Sequence, residues 1–116
     1  MNESGRQPVT EVQRLVLSVL RSNPPRLVVS AHGLVPSTGW GHPILLPREG
    51  AEAGVLELDF LVAPQRVTVV DVKLPVHAAY VHEGELAEVR EVRVHGAGGA
   101  CSELTSRARE LAPADA

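Results

Sequence analysis

The chain has 116 residues, 44% of them hydrophobic and 22% charged, which is enough for one hydrophobic core and lies outside the low-hydropathy, high-charge range of disordered proteins. Acidic residues outnumber basic ones 14 to 11 and aromatics make up only 3%, which excludes the basic, aromatic-lined surface of a nucleic-acid binder. No run approaches the roughly 20 apolar residues of a membrane span, and the polar first ten residues lack the pattern of a secretory signal.

The lone Cys101 leaves no internal disulfide, so cytoplasmic residence is the expectation. The organisation expected is a flexible N-terminus over 1–9, a single β domain over 10–95, and a Gly-rich linker with a flexible or helical tail over 96–116.

Thr10-Glu-Val-Gln-Arg-Leu-Val-Leu-Ser-Val-Leu20 carries two periodicities. One is a helix with Val12, Leu15, Val16, Val19 and Leu20 on a stripe and a Thr10–Gln13 capping box. The other, which we favour, is a strand paired across the Ser22-Asn-Pro-Pro25 turn with the next one. That next strand runs from Arg26 to Val35, where β-branched and apolar residues are dense. Pro43-Ile-Leu-Leu-Pro47 is bracketed by prolines that cannot donate to a ladder, so it is short or at an edge.

The clearest strand is Val55-Leu-Glu-Leu-Asp-Phe-Leu-Val62, whose alternation sets Leu56, Leu58, Phe60 and Val62 against Glu57 and Asp59. Val67-Thr-Val-Val-Asp-Val-Lys-Leu74 and Val76-His-Ala-Ala-Tyr-Val81 read as two strands, or one broken at Pro75. Residues 88–95 make the last strand, with Val92 and Val94 inward. Gly96-Ala-Gly-Gly-Ala100 marks the end of the folded region, and 102–111 reads as a short helix capped by Ser102.

Short strands with no connection long enough for a parallel crossover imply an all-β fold, a small antiparallel β-sandwich of immunoglobulin-like type. The succession of Ala31-His-Gly, Val35-Pro-Ser-Thr-Gly-Trp-Gly-His-Pro43, Gly54-Val-Leu-Glu-Leu-Asp-Phe60 and Val89-Arg-Glu-Val-Arg-Val-His95 resembles small uncharacterised bacterial β-sandwich proteins. The resemblance implies the sandwich and brings no activity with it.

Candidate chemistry is sparse. The five histidines lack the short ligand spacings of zinc modules, although His32 has a route to His77 or His95 on neighbouring strands. Trp40, between two glycines, either plugs the open end of the sandwich or anchors a ligand; plugging is favoured because burying its ring stabilises an aromatic-poor core, with His42 at the rim. Glu57 and Asp59 share a face, where Arg90 or Arg93 would neutralise them. Asp71 and Lys73 form a similar solvated pair.

Ser30 and His32 lack a nucleophile elbow, Cys101 lacks an activating base, and Gly96-Ala-Gly-Gly lacks the Lys-Ser/Thr of a phosphate loop. No catalytic residue, metal ligand or cofactor is therefore assigned. The expectation is a non-enzymatic interaction or structural module that self-associates or binds a protein partner through its edge strands. Trp40, His42, His32 and Asp59 are the candidate binding residues. The alternatives are a small metal-binding protein or metal-dependent enzyme using histidines gathered from several strands, and a ligand-binding module using Trp40.

Overall fold

A computed structural model describes residues 5–50 and 52–110. Nine strands occur in it: β1 (Gln7–Pro8), β2 (Glu11–Leu20), β3 (Arg26–Val35), β4 (Trp40–Pro47), β5 (Val55–Pro64), β6 (Leu74–Val81), β7 (Glu91–Gly96), β8 (Gly99–Leu104) and β9 (Arg109–Glu110). They form two sheets. In the first, β5 has β4 along one side and β7 and then β1 along the other, and β8 completes the sheet beyond β7. The second has the order β6-β3-β2-β9.

Each sheet turns one face inward because the strands alternate. In β3 the buried positions are every second residue, from Leu27 through Val29, Ala31 and Gly33 to Val35. In β5, Leu58, Phe60 and Val62 are buried as their spacing requires, and Val92 and Val94 of the neighbouring β7 line the same inward face. Phe60 is the one aromatic ring fully inside; the remaining core is Val, Leu and Ala. Residues 11–20 are a strand paired with β3, and the helical alternative is absent. Val9, in the stretch read as a flexible N-terminus, is fully buried.

Gly33 marks the closest approach of two backbones. A Cβ there would lie 2.6 Å from the Glu11 carbonyl oxygen and 3.1 Å from the Phe60 ring, so no side chain fits without movement.

Four expectations are corrected. The pairing is not wholly antiparallel, because β5 and β7 run parallel, as do β2 and β9. The chain leaves β5, returns through β6 in the opposite sheet and re-enters beside β5 in its original direction, so a strand of the other sheet takes the part of a crossover helix. Residues 65–73 belong to neither sheet. β7 is not the last strand, since Gly96 and Gly99 pair across a tight Ala97-Gly98 turn into β8. The C-terminal helix is absent among the described residues: Ser102 to Leu104 belong to β8 and 105–107 form a single 3-10 turn, while 111 lies outside them. Among the described residues no helix is long and apolar enough to cross a membrane.

Candidate binding site

The four candidate residues are distributed over three surfaces. Asp59 stands on the outer face of the first sheet, where Arg48 grips its carboxylate with Nε at 2.9 Å and Nη2 at 2.7 Å. Beside it the His95 ring N–H donates to Glu57 over 2.7 Å, and Arg93 reaches Glu57 at 3.6 Å and Glu91 at 3.3 Å. The hydrogen bond from His95, with the charge of Arg93, holds the Glu57 carboxyl below the usual carboxylate range. Each carboxylate of the expected pair thus has a partner of its own, Arg48 for Asp59 and His95 with Arg93 for Glu57.

Of the arginines expected to meet this pair, Arg93 does, while Arg90 reaches out to Glu52 at 3.5 Å. An open cleft of about 410 Å³ borders the network, lined by Arg6, Arg48, Asp59, Leu61 and His95.

His42 lies at the irregularity in β4 between Gly41 and Ile44, with φ of 52°. Its carbonyl accepts a 2.9 Å hydrogen bond from Arg6, and its side chain is exposed. His32 is on the opposite sheet. Its ring stacks on that of His77, directly across the ladder, with centroids 4.7 Å apart, and Arg14 pairs with His32 on the other side. Burial, His77 and Arg14 together push the His32 pKa below its ordinary value. The expected meeting of His32 with a second histidine does occur, with His77. Nevertheless, among the described residues no three His, Cys, Asp or Glu side chains gather to hold a metal ion.

Trp40 opens β4 at one end of the sandwich. Its ring is half-buried and packs on the core, as a plug would, yet it also lines a pocket of about 370 Å³ with Pro8, Pro36, Val62 and Ala97. Plug and pocket wall are thus the same side chain. Cys101, read as part of a Gly-rich tail, stands half-buried on β8 against the core instead.

Residues 66–73, next to this pocket, went unrecognised as a surface. All eight are exposed, and Val67, Val69, Val70 and Val72 are between 45% and 60% accessible. The segment hangs from the turn at 36–40. Thr38 N–H donates to the Val70 carbonyl, Val70 N–H to Thr38 Oγ1, and Thr38 Oγ1 to the Thr68 carbonyl. Gln65 N–H donates to the Gly39 carbonyl, and its side-chain amide donates to the Thr38 carbonyl at 2.8 Å. The signal was present in the sequence. Apolar residues at 67 and 69 and then at 70 and 72 slip by one position, so no single face of a strand would be apolar.

The geometry defines a class, a two-sheet all-β domain with an apolar end. The chain matches no family model, no curated protein and no solved structure.

Proposed function

We propose that this chain is a non-enzymatic protein-interaction module whose working surface is the apolar end of the sandwich. The observation that carries the reading is the shared turn at 36–40, which holds the Trp40 pocket on one side and four exposed valines on the other. Exposed apolar side chains scattered singly are ordinary; four within six residues, beside an apolar pocket, are the usual mark of a contact surface. Thr38 keeps the segment ordered, so its side chains are presented without a large loss of conformational freedom on contact.

The surface charges support the same reading. Asp59 and Glu57 find their partners within the molecule, in Arg48 and in His95 with Arg93. Cytoplasmic residence belongs to the proposal, supported by the single cysteine. So does an immunoglobulin-like relation, supported by the β6-β3-β2 sheet packed on a second sheet; the parallel β5–β7 pair departs from that pattern.

The only tryptophan of the chain is a built-in reporter. Titration with the apolar dye bis-ANS should quench Trp40 fluorescence as the dye gains emission, and Val70→Ser with Val72→Ser should weaken both changes. A folded protein that leaves the dye dark would overturn the reading.

A further inference from the structure

Resting on that reading, we propose that the occupant of the valine segment is a second copy of this chain, paired antiparallel over residues 69–75 about a two-fold axis at Val72. The backbone supplies the first reason. Thr68 and Val70 are bonded to Thr38, and Val72 N–H donates to the Val70 carbonyl, so the even-numbered positions are engaged. Val69, Asp71 and Lys73 make no backbone hydrogen bond among the described residues. Free donors and acceptors at every second residue are the template that an antiparallel neighbour completes.

Charge selects the partner and the register. Asp71 and Lys73 flank Val72, and neither has an ion pair among the described residues. A two-fold axis at Val72 places Asp71 opposite Lys73 of the second copy, and Lys73 opposite Asp71 of the second copy. Moving the axis to Asp71 or to Lys73 sets like charge against like, which is unfavourable directly across a ladder. The patch is thus complementary to itself, as a closed two-fold contact demands. Arg66 lies outside the paired stretch, and Val70 and Val69 come to face Leu74 and Pro75 of the second copy.

Pro75 ends the ladder. Just past β6 the His82 N–H turns toward Leu27 of β3, and by alternation position 75 turns its backbone to the free edge, where proline has no N–H to donate. Pairing therefore stops there and does not spread along β6 into a fibre.

Light scattering on the full chain after size exclusion, from micromolar to millimolar concentration, tests this. The wild type should rise to twice the monomer mass. Asp71→Lys and Lys73→Asp should each weaken dimerisation by about tenfold, since each replaces attractive cross-strand pairs by repulsive ones. The double variant Asp71→Lys/Lys73→Asp should restore it. Circular dichroism confirms that these exposed substitutions leave the fold intact.

A wild type that stays monomeric, single variants that dimerise unchanged, or a double variant no better than the singles would overturn the proposal. Bis-ANS on the same samples separates the two levels. Dye bound by a monomer and lost in Val70→Ser/Val72→Ser leaves the interaction surface standing and removes the second copy as its occupant; dye bound by none, with every sample monomeric, removes both.

Discussion

His42 adopts a left-handed backbone, with φ of 52°, a region that costs an L-residue roughly 1–2 kcal/mol and is worst for β-branched side chains. His42→Val should therefore lower the melting temperature, whereas His42→Gly should be neutral or stabilising. Thermal unfolding followed by circular dichroism measures both. Gly33→Ala should destabilise by about 1–3 kcal/mol, because its Cβ would press on the Glu11 carbonyl and the Phe60 ring.

His32 predicts a pH dependence. Its folded pKa lies below the ordinary 6.5, so on acidification the unfolded chain takes up the proton first. Stability is complete above that value, falls as pH drops through it, and stops falling below the folded pKa. The neighbours facing this ring, Arg14 and His77, act in the same direction. Glu57 adds a second fall at lower pH, below its ordinary 4.5, because its folded pKa is also lowered. Melting temperature against pH should show the upper fall in the wild type and lose it in His32→Gln. An unchanged profile in that variant would contradict this account of the His32–His77 stack.

Among the elements, β5 was the most legible, because its alternation of Leu58, Phe60 and Val62 with Glu57 and Asp59 states which face is buried. Phe60→Ala should cost about 3–5 kcal/mol, the range for removing a buried ring. β8 was hidden by Gly96 and Gly99, which read as a linker when their use is a tight hairpin turn; Gly99 takes φ of 134°, accessible to glycine. Residues 67–74 read as a strand from their valines although only Leu74 is in one, since β propensity describes the residues and not whether a neighbour exists to pair with them.

Thr38 holds that segment in place through one hydroxyl. Thr38→Val would remove two hydrogen bonds, each contributing about 0.5–1.5 kcal/mol at most in so exposed a place. The expected result is faster proteolytic cutting near Val69 with little change in overall melting.

At the scale of the molecule, the two sheets and their Val/Leu core were legible, while the parallel pairing was not. It arises from the return of the chain through the opposite sheet, a property of long-range topology that no local pattern records. The candidate site divided similarly. Trp40 was found because it is the only tryptophan, but the valine segment comes against the turn at 36–40 only once residues 65–70 have folded onto it. Asp59 was legible as an outward-facing carboxylate and His32 as a histidine on a strand, and the structure gives each a partner of its own, Arg48 and His77.

The central claim is that the apolar end is a contact surface completed by a second copy. Hydrogen exchange of the backbone amides, read at low and at high protein concentration, addresses it directly. The prediction is that the amides of Val69, Asp71 and Lys73 exchange freely in dilute protein and become protected as concentration rises, while those of β5 stay protected throughout. Free exchange at those three positions at every concentration would contradict it.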